Sequence, residues 1–307
     1  MEKLQLGYAC INTELRKERI FTNRHMRKAT FEAKGLSYAS ELNLQNVKDL
    51  CTIIQWNIDN GIKLYRMSSD IFTWHSEYNL SDCPDYKQIK MYLKKAGKLA
   101  MDNGIRLSAH PGQYTVLASP NPDTVIKSID ILNKTAIVMD LMGMPKSPQC
   151  KINIHIGGTY DDKPGTMARF CKNFKRIIPS AQARLTIEND DKASMYSVVD
   201  LYNGIYKVIG IPIVFDYHHH RFCTGGLSES EALHLASKSW PKDIRQCTHY
   251  SESMALMEGA EGKRETAHSN FIYNEINTHG LYIDCMVEAK MKEKAVQRYY
   301  DKNLVLS

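Results

Sequence analysis

Short apolar stretches and longer amphipathic stretches alternate along the whole chain. The short ones have the period-two or continuously apolar pattern of β-strands, and they lie at Gln5–Ile11, Leu64–Ser68, Ile105–His110, Lys151–Ile156, Arg184–Glu188, Pro212–Tyr217, Arg245–His249 and Leu281–Val287. The longer ones have helical spacing and lie at Leu44–Asn60, Asp85–Asn103, Pro122–Leu141, Thr166–Ile178, Met195–Val208, Glu229–Ser237, Asn270–Asn277 and Lys290–Tyr300. Helix N-caps are expected at Asn43 and, in a capping box with Glu231, at Ser228.

This order of elements predicts an α/β fold, a single (β/α)₈ TIM barrel with enlarged loops after the strands. A length of 307 residues fits one such barrel. A doubly wound open sheet is the alternative, but no glycine-rich phosphate turn follows the first strand. No linker, low-complexity tract or repeat divides the sequence. We therefore expect one domain over residues 1–307.

The composition is that of a globular protein, with 43% apolar and 24% charged residues. No apolar run approaches the roughly 20 residues of a membrane helix, and the first residues enter a strand without a signal peptide. The eight cysteines form no C-x-x-C pair, which favours reduced thiols. These observations predict an intracellular protein, located in the cytoplasm, nucleoid or nucleus, that is not secreted and has no membrane partner.

Positive charge is concentrated near the N-terminus. The formal net charge is +6, and Thr13–Gly35 holds seven basic and three acidic residues. A loop of this charge suits a phosphate backbone, with Arg24, Arg27 and Lys28 as candidate contacts. A solvated loop fits the charge alone equally well.

Six of the predicted strands end on an imidazole or a carboxylate: His110, His155, Glu188, Asp216, His249 and Glu288. In a barrel the inward side chains at the C-terminal rim converge on one pocket. Several carboxylates in one pocket repel each other unless cations lie among them. Imidazole with carboxylate suits Mn²⁺, Zn²⁺ or Fe²⁺, and six ligands exceed what one ion needs. The strand ends therefore predict two or three divalent ions rather than a structural polar network.

Loop residues add to this set. Asp216 begins a histidine run in which His218 and His219 are equally suited to join it, and His75 and His268 follow the second and seventh strands. Gln113 and Tyr114 follow His110 across a Pro-Gly turn, offering an amide and an aromatic face.

These residues occur in motifs that resemble those of the UV damage endonucleases, metal-dependent DNA repair enzymes with a (β/α)₈ barrel. The resemblance runs from about Leu6 to Ala295. Seven motifs occur in the same order: LGYACIN, YRMSS, AHPGQY, INIHIGG, TIEND, FDYHHH and DCMVEAKMKEKA.

The resemblance implies a site residue by residue. It assigns metal ligands to His75, His110, His155, Glu188, Asp216, His219, His249, His268 and Glu288. It prefers His219 to His218 by the D-x-x-H spacing. It implies catalytic roles for Glu188, Glu288, His249, Tyr8 and Asn12. Lesion contacts fall on Gln113 and Tyr114. Mn²⁺ is the first expectation for the ions, with Zn²⁺, Mg²⁺ and Co²⁺ as alternatives.

One position departs from this pattern. Many members of the family have a lysine two residues before the histidine of the seventh strand, whereas this chain has Cys247 there. Cys247 shares a strand face with His249. It is therefore either a thiolate ligand or a small residue beside a two-metal site.

The expected function is hydrolysis of duplex DNA immediately 5′ to UV photoproducts, by a monomer that needs no organic cofactor. An abasic-site endonuclease would share the barrel and metals but read a missing base. A sugar isomerase or epimerase would leave the basic segment without a purpose. A catalytically inactive DNA-binding barrel would not need so complete a set of metal ligands.

Overall fold

A computed structural model of the chain describes residues 2–304. Seven of its eight strands are shorter than the apolar patterns that predict them, and β7 has the same length as its pattern. In chain order the strands are β1 Leu4–Ala9, β2 Leu64–Arg66, β3 Arg106–Ser108, β4 Ile152–Ile154, β5 Leu185–Glu188, β6 Ile213–Asp216, β7 Gln246–Tyr250 and β8 Ile283–Val287. All paired strands are parallel, in the order β3-β2-β1-β8-β7-β6-β5-β4.

The two ends of this order meet at a single seam. Ala109, just after β3, forms one parallel bridge with Ile152 of β4. The Ala109 amide donates to Lys151 O and the Asn153 amide donates to Ala109 O, each at 2.9 Å. The sheet therefore closes on itself, which confirms the predicted TIM barrel.

Helices of very different length connect the strands. In chain order they are α1 Thr13–Lys17, α2 Lys28–Asp59, α3 Tyr86–Asp102, α4 Pro122–Leu141, α5 Lys163–Phe174, α6 Pro179–Gln182, α7 Val198–Leu201, α8 Lys207–Ile209, α9 Tyr217–His220, α10 Glu229–Ser237, α11 Met254–Glu258 and α12 Glu293–Leu304. Short 3₁₀ turns lie at His75–Glu77, Leu80–Asp82 and Pro148–Cys150, and a π-helical turn at Tyr202–Tyr206 joins α7 to α8. Within residues 2–304, no helix is long and apolar enough to cross a membrane.

The N-terminal basic segment, Thr13–Gly35, is partly helical and not a loop throughout. It contains α1 and the beginning of α2, which kinks at Gly35, where φ is +64°. Asn43 is a buried residue inside α2 and not a cap, because its amide bonds Tyr78 and the Thr73 backbone. The capping box of Ser228 and Glu231 is confirmed at the start of α10.

The predicted helix at Asn270–Asn277 is wrong. This segment is irregular, because buried Glu252 accepts hydrogen bonds from the amides of Tyr273 and Asn274 at 2.8 and 3.0 Å. Those amides therefore bond a side chain instead of the carbonyls of a preceding helical turn. A second carboxylate, Glu258, binds Asn270 in the same way.

Alternation along β1 separates two environments. Leu6 and Tyr8 pack into the main core between strands and helices, whereas Ala9 joins Leu64 and Met286 in a small cluster inside the barrel. Gly7 also faces inward, where an added Cβ would lie 1.9 Å from Leu64 O. The first strand can approach β2 only because this position has no side chain.

A buried ion pair closes the N-terminal end of the barrel. Arg106 of β3 is 4% exposed, and its Nη1 lies 2.9 Å from Asp284 Oδ2 of β8. The guanidinium also donates to the carbonyls of Pro148, Gln149 and Arg245 at 2.8–2.9 Å. The Arg106 guanidinium is therefore neutralised by one carboxylate and hydrogen-bonded to three backbone carbonyls.

Candidate metal centre

The carboxylate of Glu188, the last residue of β5, lies in the middle of the C-terminal rim. It is 1% exposed. Four imidazole nitrogens surround its oxygens: His249 Nδ1 at 3.1 Å, His110 Nε2 at 3.3 Å, His219 Nδ1 at 3.5 Å and His155 Nε2 at 3.7 Å. The structure thus brings together side chains that lie far apart along the sequence, because parallel strands deliver their last residues to one end.

Two overlapping groups in this cluster could each hold an ion. His110, His155 and Glu188 can place one ligand atom each within 4.8 Å of one another, and so can Glu188, Asp216 and His249. Buried Asp216 Oδ2 has no hydrogen-bond partner, and His249 Nδ1 faces oxygens of Glu188 and Glu288 at 3.1 and 3.4 Å without hydrogen-bond geometry. Buried polar atoms normally have a hydrogen-bond partner, so these unsatisfied atoms of Asp216 and His249 fit a cation bound beside them. Oxygen and imidazole donors suit Mn²⁺ or Zn²⁺.

Glu288, just after β8, extends the cluster on the side of β1 and β2. Its Oε1 lies 3.4 Å from His249 Nδ1 and forms an ion pair with Arg66 Nη1. Its Oε2 lies 3.9 Å from His268 Nδ1. His268 therefore lies at the edge of the cluster, where it contacts Glu288.

Burial and charge set the ionisation of the cluster in opposite directions. Burial raises the pKa of Asp216 to about 7 and lowers the pKa of His249 to about 4. Burial also disfavours charge on His155, but Glu188 and Asp190 outweigh it and raise the pKa of His155 to about 10. In the same way Asp216 and Glu188 raise the pKa of His219 to about 9. The cluster thus binds protons where cations could bind.

The structure separates the neighbouring histidines 218 and 219. His219 faces Glu188 and Asp216, and its Nδ1 lies 2.9 Å from Asn189 O. His218 instead packs its ring against Phe222 and His268. The geometry therefore favours His219, as the D-x-x-H spacing does.

His75 is apart from the cluster. Among the described residues it has ring contacts with Phe72 and Tyr78, and no hydrogen bond, ion pair or ring contact with the other candidate ligands. It lines a cavity of about 340 Å³ together with Trp74 and Tyr114. Burial lowers the pKa of His75 to about 4, so the imidazole is neutral there.

Tyr8 and Asn12 are also not brought to the cluster. Tyr8 lies on the outer face of β1, where its hydroxyl donates to Asn57 of α2 at 2.8 Å and accepts from Asn12 at 3.0 Å. Asn12 caps α1 by accepting from the Leu15 amide. Strand alternation directs Tyr8 away from the barrel interior, so both residues hold the N-terminal segment against the barrel.

Cys247 lies inside the barrel below His249 and is fully buried. It packs with Val214 and Trp240, and neither of the two candidate ion-binding groups includes its thiol. A lysine is nevertheless present at this depth: Lys151 Nζ lies 3.1 Å from His249 Nε2. Burial lowers the pKa of Lys151.

Gln113 and Tyr114 form the tip of the loop after β3. Tyr114 is 81% exposed, and Gln113 is also exposed. The loop is short and anchored, since the Thr115 amide donates to Gly112 O at 2.9 Å and Pro111 is buried. An exposed aromatic side chain is therefore held a few residues from His110.

The candidate DNA contacts of the basic segment differ from one another. Arg24 is 17% exposed and already bound, with Nη1 2.7 Å from Asp49 Oδ2 and Nη2 2.6 Å from Arg19 O. Arg27 and Lys28 are exposed at the start of α2. Only the latter two present charge to a partner.

Three polar residues beside the cluster are not among the site residues predicted from the sequence. Arg66 pairs with Glu288, Lys151 lies beside His249, and Asn153 donates a hydrogen bond to Glu188. Asn153 has a signal in the sequence, because it lies two residues before His155 and so on the same strand face. Arg66 has one too, since it ends the second strand as the acids and histidines end the others.

The sequence matches the family model "UV-endonuclease UvdE" over residues 4–305. It is 37% identical over 302 residues to the UV-damage endonuclease of Schizosaccharomyces pombe, a match that covers 95% of this chain and 49% of that protein. It is 34% identical over 300 residues to the UV DNA damage endonuclease of Clostridium perfringens, covering 94% and 68%. The chain therefore spans about half the length of the fission yeast relative.

A solved structure agrees with these matches. The crystal structure of SacUVDE superposes with a TM-score of 0.81 at 29% identity, covering 98% of this chain and 99% of that one. The fold, the order of the strand-end residues and the match over nearly the whole sequence lead to one conclusion: the chain belongs to the UV-endonuclease UvdE family.

Proposed function

We propose that this protein is a divalent-metal-dependent endonuclease that nicks duplex DNA immediately 5′ to UV photoproducts. The observation that carries the proposal is the Glu188 cluster beside an exposed Gln113–Tyr114 tip. Family membership supports the choice of damaged DNA as the substrate. The reaction is hydrolysis: a water gives up a proton as its oxygen bonds to phosphorus, the bond from phosphorus to the 3′ oxygen breaks, and that oxygen takes up a proton.

We propose that two groups of side chains would hold the ions, His110, His155 and Glu188 in one and Glu188, Asp216 and His249 in the other. His219, Glu288 and His268 complete the set from the rim, with His75 as an outlying member. Ions at such a site acidify water and neutralise charge on the phosphate. Mn²⁺ is the first choice, because mixed carboxylate and imidazole donors suit it.

The protein's own groups orient this set. Asn153 donates to Glu188, and Lys151 lies against the far nitrogen of His249. Partners of this kind fix the direction in which a ligand faces, and losing one typically costs about 10–100-fold in metal affinity or activity. The site therefore depends on residues beneath the candidate ligands as well as on the ligands.

We propose that Gln113 and Tyr114 read the lesion. A damaged step stacks and pairs poorly, so opening it costs less than opening an intact step. Tyr114 can then stack on a base, worth roughly 1–3 kcal/mol, while Gln113 bonds exposed base edges. The short anchored loop ties this insertion to His110, so opening the lesion would deliver the neighbouring phosphate to the metal site.

The direct test is nicking of irradiated, abasic and intact supercoiled plasmid, with Mn²⁺ and with excess chelator. We expect metal-dependent nicking of irradiated plasmid, with the cut mapped to the 5′ side of the dimer. Preference for abasic plasmid would identify an abasic-site endonuclease instead. Absence of nicking on all three would reject nuclease activity.

The loop has its own test. Replacing Gln113→Ala together with Tyr114→Ala should remove the preference for irradiated DNA while leaving Mn²⁺ binding and weak affinity for any duplex. A matched control is Tyr282→Ala, which removes an aromatic side chain that is also exposed, at 51%, near the start of β8. If the double variant keeps the wild-type preference, other residues read the lesion.

A further inference from the structure

Arg66 is a cation at the rim whose donors are mostly unused. It ends β2, and the backbone on both sides is fixed, because its carbonyl accepts from the Cys10 amide and the next amide donates to Ser108 O. Its side chain is 13% exposed and forms an ion pair with Glu288 through Nη1. Within residues 2–304, no other nitrogen of this guanidinium has a hydrogen-bond partner, and Nε is buried as well.

This arrangement differs from that of the buried arginine at the opposite end of the barrel. Arg106 uses Nε, Nη1 and Nη2 on three carbonyls and one carboxylate. Buried donors without partners carry a free-energy cost, so they persist where a ligand supplies the acceptor. In Arg66 the unused donors are Nε, which is buried, and Nη2, which is not, so Nη2 is the nitrogen that an oxygen of a phosphate can reach.

A second cation without a partner lies nearby. The ammonium of Lys292 makes no hydrogen bond or ion pair with any described residue, and its backbone has φ of +51°. Burial lowers the pKa of Lys292, and Arg66 and Glu288 are among the charges that act on it. Lys292 therefore lies within electrostatic reach of both Arg66 and Glu288.

We propose that Arg66 is a catalytic residue that binds a non-bridging oxygen of the scissile phosphate through Nη2, with Lys292 as a secondary contact. The assignment rests on the proposed nuclease function. Fixed donors aimed at a phosphoryl oxygen stabilise the charge that develops in the transition state. The ion pair between Arg66 Nη1 and Glu288 holds the guanidinium beside the candidate metal ligands and leaves Nη2 free to donate.

The test compares Arg66→Lys and Arg66→Met with wild type on irradiated DNA. Both should lower kcat by about 100-fold or more while KM and Mn²⁺ affinity change by no more than about threefold. Lys292→Met should cause a smaller loss. Arg176→Lys, at an exposed arginine after α5, controls for the exchange itself.

A stereochemical readout separates contact with phosphate from a role in holding Glu288. Sulfur in place of the non-bridging oxygen that faces Arg66 should slow wild type in one phosphorothioate diastereomer, and the difference between diastereomers should shrink in both variants. If Arg66→Lys restores full activity, or if the variants change Mn²⁺ affinity in proportion to activity, Arg66 only neutralises Glu288 and the assignment is overturned.

The two proposals fail in different ways. Wild type that cuts irradiated DNA alongside equally active Arg66 variants would reject the role of Arg66 alone. Wild type that cuts no damaged DNA would reject the nuclease function and this assignment with it. Isothermal titration with Mn²⁺ and the melting temperature of each variant establish that a loss of kcat does not come from unfolding.

Discussion

The two ends of the barrel treat buried charge in opposite ways. At the N-terminal end, Asp284 pairs with Arg106 and Arg245 at 2.9 and 3.0 Å, and backbone carbonyls accept hydrogen bonds from both guanidinium groups. At the C-terminal rim, buried Asp216 Oδ2 has no hydrogen-bond partner, and Arg66 has donors without partners. The comparison teaches that burial of charge alone does not mark a functional site. What distinguishes the rim is that its unpaired buried atoms lie among candidate ion ligands.

The largest expected effect comes from Glu188, which both candidate ion-binding groups share. Glu188→Gln should lower nicking by about 10⁴-fold and remove at least one bound ion, because the amide cannot replace a charged oxygen toward two cations. Nicking assays and metal analysis of the purified variant measure this. Glu32→Gln, at an exposed carboxylate of α2, is the control. A variant with full activity and metal content would remove Glu188 from the centre of the site.

At the other end, the expected effect is on folding. Arg106→Met should lower the free energy of unfolding by about 3–5 kcal/mol, because it leaves Asp284 buried with one partner fewer. Chemical denaturation monitored by circular dichroism measures the loss. Adding Asp284→Leu should recover part of it, since the remaining charge is then removed as well. If Arg106→Met instead abolishes nicking in a protein of unchanged stability, the contrast between the two ends fails.

The protons held at the rim predict a pH dependence. His155 and His219, with pKa values raised to about 10 and 9, bind protons that an ion must displace. Affinity for Mn²⁺ should therefore rise with pH through 7 and level off only above about 10. The same raised pKa values stabilise the metal-free fold fully below about pH 6.5, and this contribution is lost as the pH rises towards 9–10. Titration calorimetry in two buffers should detect the released protons, and an affinity independent of pH would contradict this.

The smallest effect concerns the basic segment outside both ends. Arg27→Gln with Lys28→Gln should weaken binding to damaged and undamaged DNA alike, and should flatten the slope of log K against log salt by roughly 0.9 for each phosphate that the variant no longer neutralises. Lys94→Gln with Lys98→Gln on α3 removes equal charge elsewhere as a control. An unchanged slope would place the start of α2 away from DNA. Arg24 belongs to a different class, because its ion pair with Asp49 predicts an effect on stability.

The fold, and the gathering of the candidate site residues in one cluster, could be predicted from the sequence for one physical reason. Strand patterns are local, and a parallel barrel converts six local strand ends into one cluster without further information. Prediction from the sequence failed where long-range interactions decide. Glu252 holds Tyr273 and Asn274 in a loop where spacing predicts a helix, and the side chain of Tyr8 bonds Asn57 of α2 rather than the rim.

The three polar residues that the sequence did not predict as part of the site also depend on partners far along the chain. Arg66, Lys151 and Asn153 do not look like metal ligands, so a search for acids and histidines passes over them. Their position on inward strand faces could be predicted from alternation. Which partner each one meets could not, because Glu288, His249 and Glu188 come from strands far along the chain.

The single bridge between Ala109 and Ile152 makes the β3–β4 seam the junction of the described barrel with the fewest paired residues. His110 and His155 lie just beyond it, one on each side, and both face Glu188. An ion held by this pair of histidines would cross-link the ends of β3 and β4 across the seam. Amide hydrogen exchange at Ala109 and Asn153 would then slow when the protein is loaded, so the chemistry of the rim would also decide how often the cylinder opens.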